Sequence, residues 1–368
     1  MSNYWFDYII VGSGMFGAAF AFQARKQTPH VLVIEKSEHI GGACYTEEKD
    51  GVMIHKYGPH IFHTNDKNIW EWVNQFGEFK SFINQPIAKY GDRIYNLPFN
   101  MNTFYQLYGT MLPEEAQEEI KKDCIDCLGS SVEDCGYRKF GKKIYEALIK
   151  DYTEKQWGRS CKDLPQSLIE RVPLRFEFNN NYFSDQFQGI PIKGYTHLIS
   201  EMLKNILVIL NKTYAEFKEE FPYIGAGKII YTGAIDEYYN YCFGKLDYRS
   251  LLWDEEIMEQ GCAVVNYTSK ETPYTRSVEH KWFMGNSDLP AYTSFEKSVE
   301  WEPGLERYYP VNTEENLKLY NKYKTYAKEK DPNVIFCGRI GGYEYINMDT
   351  AISKAISLEK ELAFNNKI

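Results

Sequence analysis

Apolar residues in this chain fall into short runs separated by glycine-rich turns. Tyr8-Ile9-Ile10-Val11 and Val31-Leu32-Val33-Ile34 are β-branched runs of the length of buried strands. Between them, Gly12-Ser13-Gly14-Met15-Phe16-Gly17 opens into Ala18-Ala19-Phe20-Ala21-Phe22, which reads as the start of a helix. Residues 69–74 continue as a helix, and residues 82–100 read as short strands around Asn84-Gln85-Pro86 and Leu97-Pro98-Phe99. From Met101 to Ile149 the pattern is helical, with Pro113, Glu114 and Glu115 in a first turn, where proline and acids belong. Residues 195–225 give a helix and a variable connection, and Ile229-Ile230-Tyr231-Thr232-Gly233 is a strand ending in glycine. Residues 245–310 alternate in strand fashion, notably at 262–267 and 274–278. Val334-Ile335-Phe336-Cys337 is a last buried strand, followed by a helix with Ile352, Ala355, Ile356, Leu362 and Ala363 at 3.6-residue spacing.

The first of these units carries its own chemistry. Gly12 permits a sharp turn, Gly14 lets backbone N–H groups approach a pyrophosphate at the helix N-terminus, and Gly17 lets the helix pack close to the strand. Glu35 ends the second strand, placed to accept hydrogen bonds from a ribose diol and to repel a 2′-phosphate. NAD or FAD therefore fits better than NADP. The doublet Gly41-Gly42 resembles that of amine-oxidase-like flavoproteins and tilts the choice to FAD. The expected fold is α/β: a Rossmann-type FAD-binding domain, a helical insertion and an antiparallel β-sheet substrate domain. The first is discontinuous over 1–80, 195–245 and 315–368; the insertion covers 81–150; the substrate domain covers 151–194 and 246–314. Two or three domains suit a chain of 368 residues.

Composition narrows the function. A net charge of −9 argues against a nucleic-acid or membrane-surface binder, so an anionic substrate must be held by a few placed cations. No apolar run of membrane-spanning length occurs, and the N-terminus runs straight into a strand, so a soluble cytoplasmic protein is expected. Eight scattered cysteines do not make a disulfide framework, and Cys124, Cys127 and Cys135 lack a fourth ligand for zinc. His55, His60 and His63 lack a carboxylate or cysteine partner, so no metal site is expected; His60 and Ile61 suit a cofactor face. Thirty tyrosines offer stacking faces with hydroxyls, as sugar and base recognition requires. Segments 152–159, 171–176 and 179–183 alternate aromatics with cations and amides. That composition fits a base stacked beside neutralised phosphate, and fits a solvated strand edge as well.

Taken together, the blocks 12–17, 35–42, 55–66, 97–104, 152–158, 180–185, 273–281, 308–312 and 338–345 resemble bacterial UDP-galactopyranose mutases over nearly the whole chain. The resemblance implies interconversion of UDP-galactopyranose and UDP-galactofuranose with reduced FAD and no net redox change. It implies attack of flavin N5 on the anomeric carbon, loss of UDP, ring opening through an iminium, reclosure and recapture of UDP. By the same resemblance Arg171 and Arg276 grip the diphosphate, and His63 stands beside the flavin as a third catalytic position. Tyr152 and Trp157 face the uracil, Asn84 and Tyr182 line the substrate, and Tyr309 and Tyr345 lie near the phosphates. The cofactor set is Gly12, Ser13, Gly14, Phe16, Gly17, Glu35, Lys36, Gly41, Gly42, His60, Ile61, Gly233, Arg339 and Met348. The resemblance further implies a homodimer that makes precursors of cell-surface polysaccharide. Asn347 stands where an acid is common, and the room beside the sugar C2 next to Pro59 leaves UDP-N-acetylgalactosamine open as a substrate. A flavin oxidoreductase of amine-oxidase type and a non-catalytic UDP-sugar binder are the alternatives.

Overall fold

In the computed structural model, residues 4–365 are described. Five parallel strands form the first sheet, in the order Leu207–Ile209, Val31–Ile34, Tyr4–Val11, Ile224–Tyr231 and Val334–Phe336. All four side chains of Val31–Ile34 are buried, because helices cover both faces of a parallel sheet. The helices Met15–Arg25, Gly194–Met202 and Met348–Asn365 cover one face, with Phe20, Leu198 and Ile352 in a common core. Phe217, on the helix Tyr214–Glu220, closes the other over Ile9 and Leu32. Alanines 18, 19, 21 and 24 leave the first helix slim enough to lie between the sheet and the last helix.

A second sheet has seven strands, in the order Tyr309–Pro310, Tyr248–Ile257, Tyr292–Glu300, Arg276–Glu279, Val264–Tyr267, Ile87–Tyr90 and Arg93–Asn96. It is antiparallel except where Val264–Tyr267 runs parallel to Ile87–Tyr90. A smaller sheet joins Phe62–Thr64 and Phe79–Ser81 to either side of Phe187–Pro191. The helices Met101–Tyr108, Pro113–Asp123 and Ser167–Glu170, with a helical run from Val132 to Trp157, pack around Phe104, Phe140, Tyr145 and Ile169.

The expected boundaries shift in two places. Residues 87–96 were placed in the helical insertion but form the outer hairpin of the seven-stranded sheet, since Ile87–Lys89 find open backbone groups along Val265–Tyr267. The helical unit in turn extends past residue 150, because Trp157, Leu164, Ile169 and Phe176 bury their apolar faces against its core. The segment 152–157, equally readable as a strand edge, is a helix. Among the described residues no helix is long and apolar enough to cross a membrane.

Candidate active site

The carboxyl ends of the parallel strands gather the glycines of the sequence motif. Gly12 has φ +100°, and a Cβ there would lie 2.1 Å from Thr232 Oγ1. A Cβ on Gly17 would sit 2.0 Å from the carbonyl oxygen of Gly12, so helix and turn touch through bare backbone. Gly14 differs: its Cβ would meet nothing nearer than 3.9 Å, so protein packing does not demand glycine there. The open space lies at the positive end of the buried first helix, whose first turn carries no acid, and it fits a pyrophosphate. Gly41 bridges to Gly14 and donates its N–H to Ser13, bringing the second glycine pair alongside the first.

Glu35 is 4% exposed and closes this cradle. Its Oε2 accepts from Ser13 N at 2.8 Å and Ser13 Oγ at 2.7 Å, and its Oε1 accepts from Ser37 N at 2.9 Å. Carboxylate oxygens keep further lone pairs, so Glu35 can still accept from a ribose diol. Phe16 and Gly233 stand at the same strand ends, and Met348 opens the last helix against the same core. Lys36 does not join them, because its ammonium is held by both oxygens of Glu306 at 2.8 Å. Ile61 is buried under Ile190, Val278 and Phe283, so its side chain serves the core.

Beside the cradle lies a cluster of side chains built around Arg276, at the start of the strand Arg276–Glu279. Its Nε donates to Glu296 Oε2 at 2.6 Å, and its Nη2 lies 2.5 Å from the same oxygen. Glu296 is wholly buried, and its other oxygen accepts from Thr275 Oγ1 at 2.6 Å. Burial alone would lower the arginine's proton affinity; Glu296 outweighs it and holds the guanidinium charged. Tyr152, Tyr182 and Tyr309 all lie in the field of this arginine. Burial raises all three phenols, with Tyr309 pushed up to about 12, so they stay protonated donors at neutral pH. Arg339, tethered to the Ile346 carbonyl at 2.7 Å, places its guanidinium carbon 5.6 Å from the Tyr309 ring centre and 5.0 Å from that of Tyr345. It also acts on His60 and on Cys44, which follows the glycine doublet, and so links pocket to cradle.

Tyr182 is held through its backbone, its N–H donating to the Asn84 carbonyl at 2.8 Å and its carbonyl accepting from Arg175 Nη2 at 3.2 Å. Asn84 is 7% exposed, and its side-chain Oδ1 has no hydrogen-bond partner. A buried acceptor left open beside Tyr182 fits a site awaiting a donor from a ligand. Arg171 caps the helix Ser167–Glu170 and is exposed; its charge reaches Tyr182. Trp157 instead packs against the helical core. The sequence reading missed Glu296 and Arg175, since each acts on a residue that only folding brings near.

Of the two histidines, the structure puts His60 next to the arginines. Burial lowers its pKa to about 4, with Arg339 and Arg276 adding to the effect, so the imidazole is neutral. Nδ1 lies 2.7 Å from the Gly58 carbonyl, which only accepts; Nδ1 therefore carries the hydrogen and Nε2 the free lone pair. His63 pairs its Nδ1 with Asp185 at 2.8 Å and stacks on Phe183 at 3.7 Å between ring centres.

Comparison with known proteins gives the family of the chain. The UDP-galactopyranose mutase family model matches residues 147–345, and an NAD(P)-binding Rossmann-like domain model matches residues 10–76. A dTDP-fucopyranose mutase of Escherichia coli is 37% identical over 98% of this chain and 99% of its own length. A probable UDP-galactopyranose mutase of Klebsiella pneumoniae is 36% identical over 96% of this chain and 94% of its own. The crystal structure of a reduced UDP-galactopyranose mutase superposes with a TM-score of 0.71 at 12% identity, over 97% of this chain and 93% of that one. With identity of this extent along the whole length, the chain belongs to the UDP-galactopyranose mutase family, a family of isomerases.

Proposed function

We propose that the protein is a flavin-dependent mutase that interconverts the pyranose and furanose forms of a nucleoside-diphosphate hexose, with UDP-galactose as its substrate. The observation that carries this reading is the Arg276–Glu296 pair, ringed by Tyr152, Tyr182 and Tyr309 and joined through Arg339 to a dinucleotide cradle. Reduced FAD seated on that cradle would supply the nucleophilic nitrogen that the reaction needs at the anomeric carbon. The chain's own residues hold the rest in place. Glu296 occupies two of the five N–H directions of Arg276 and leaves the others to grip a diphosphate as it departs and returns. Arg171 adds a second fork near Tyr182, and the tyrosine rings offer stacking faces and hydroxyl donors to the nucleotide sugar. His60, uncharged, offers Nε2 as an acceptor for a sugar hydroxyl without competing for the phosphates.

The test is incubation with UDP-galactopyranose, with and without dithionite, followed by chromatography of the products. Furanose formed only after reduction supports the mutase. Stoichiometric oxidation of the substrate would instead favour an oxidoreductase, and tight binding without turnover a sensor. The E. coli relative favours dTDP-fucopyranose as a second reading of the same pocket. That substrate differs by a thymine methyl and by the loss of two hydroxyls, on the ribose and on sugar C6. The same assay with dTDP-fucopyranose, and with UDP-N-acetylgalactosamine, ranks the three by kcat/KM.

A further inference from the structure

Lys155 lies one helical turn beyond Tyr152 on the helix Asp151–Trp157. Four backbone carbonyls converge on its Nζ: Tyr267 at 2.7 Å, Ser269 at 2.8 Å, Thr272 at 3.2 Å and Tyr274 at 2.7 Å. They come from the end of the strand Val264–Tyr267 and from the turn that leads into Arg276–Glu279. One ammonium thus closes this turn from the inside. The turn delivers Arg276, two residues after the last of these carbonyls, and Thr275 between them donates to Glu296. The helix is fixed from its other side by Arg249, which donates to the carbonyls of Gln156 at 3.0 Å and Lys155 at 3.4 Å.

We propose that Lys155 is a positioning residue for the nucleotide site: its carbonyl-ringed ammonium sets the spacing between the Tyr152 ring and the Arg276 guanidinium. This rests on the reading of the pocket given above. Four oxygens that converge on one point suit a compact ammonium on a flexible stem, whereas the donors of a guanidinium diverge in one plane from three separate nitrogens. A neutral side chain would leave four carbonyl dipoles converging on nothing, a costly arrangement away from water. Burial lowers the pKa of Lys155 to about 8, opposed by Asp151 on the same helix. Asp151 also accepts from the N–H of Lys270; the other charged groups on the surrounding elements include Lys270 and Glu271 in the turn, Arg276 beyond it, Arg249 on the strand Tyr248–Ile257, Glu296, Lys297 and Glu300 on the strand Tyr292–Glu300, and Lys150 and Glu154 on the helical run itself. The ring therefore loses its central charge in mildly alkaline solution.

The experiment uses the full-length, flavin-loaded protein, its Lys155→Met and Lys155→Arg variants, and UDP and dTDP as probes in equilibrium titrations. Flavin absorbance per chain should be unchanged in both variants, because the cradle lies on another sheet. The Kd of the nucleotide bound by the wild type should rise at least tenfold in both, with KM for the nucleotide sugar rising alongside. Wild-type Kd should also rise as pH passes about 8 and level off, while that of Lys155→Met stays flat across this window. Wild-type affinity in Lys155→Arg, or the same pH profile in Lys155→Met, would overturn the proposal. Should the methionine variant fail to fold, the arginine variant decides alone. A wild type that binds neither UDP nor dTDP overturns the reading of the pocket, and this inference with it.

Discussion

At the scale of single residues, the two inner glycines of the first turn separate folding from binding. A methyl at Gly17 meets the Gly12 carbonyl at 2.0 Å, and backbone cannot yield as a flexible side chain does. Gly17→Ala should therefore cost the protein about 1–3 kcal/mol or more, read as a lower melting temperature even without flavin. Gly14→Ala meets only open space, so the flavin-free protein should melt as the wild type does while flavin retention falls sharply. Equal melting of the two flavin-free variants would remove the distinction. The close packing at Gly17 and the open approach at Gly14 were legible in the sequence because such a turn is made of neighbours, and spacing along the chain becomes geometry directly. Glu296 was not legible: it meets Arg276 only because the strands Arg276–Glu279 and Tyr292–Glu300 pair in that register. The consequence is that Arg276→Ala removes the proposed diphosphate ligand and also strands a buried carboxylate, a loss of up to about 3–5 kcal/mol, trimmed by the pair's open side. In Arg276→Ala combined with Glu296→Gln much of the melting temperature should return, with turnover still absent. Recovered turnover in that double variant would end the role given to Arg276.

At the scale of elements, the loop that carries Tyr182 shows how a mobile-looking segment is made to hold a ring in place. Its polar sequence, Asn179-Asn180-Asn181, gives no sign of order, yet Arg175 donates to the carbonyls of Asn181 at 2.5 Å and Tyr182 at 3.2 Å. The Asn84 carbonyl takes the Tyr182 N–H at 2.8 Å. Arg175→Ala should loosen this clamp, raising KM for the nucleotide sugar severalfold while flavin content and kcat at saturation change little. A drop confined to kcat would mean that Arg175 acts on the chemistry instead. The same contrast explains the boundary errors. Periodicity located the helices of 101–149 correctly, but it could not assign the hairpin 87–96 to a partner, because pairing of Ile87–Lys89 with Val265–Tyr267 spans nearly half of the chain. Nor could alternation of aromatics and cations over 152–159 tell a strand from a short helix whose outer face is also polar.

At the scale of the whole molecule, three histidines, His55 and His280 buried and His60 half-buried, join the nucleotide unit to the seven-stranded sheet. His60 N donates to His55 Nδ1 at 3.1 Å, His55 N donates to His280 Nδ1 at 3.3 Å, and His280 Nε2 meets Ser294 Oγ at 2.7 Å. Burial depresses all three: His60 to about 4, His280 to about 3, and His55 well below its ordinary value. Their folded values lie beneath the unfolded value near 6.5, so the unfolded chain binds protons first as pH falls. Stability is then fully present above about 6.5 and is lost progressively as pH drops toward 4 and below. Denaturant midpoints measured from pH 7 to pH 4 should fall steadily in the wild type. Carboxylates contribute to acid unfolding in any protein, so the difference between wild type and His280→Gln isolates the histidine. The variant should be the less stable at pH 7, having lost a bond to the His55 N–H or to Ser294, yet its curve should decline less steeply and approach that of the wild type near pH 4. Two parallel curves over this range would show that His280 takes up its proton alike in the folded and the unfolded chain, and that the junction does not depend on its staying neutral.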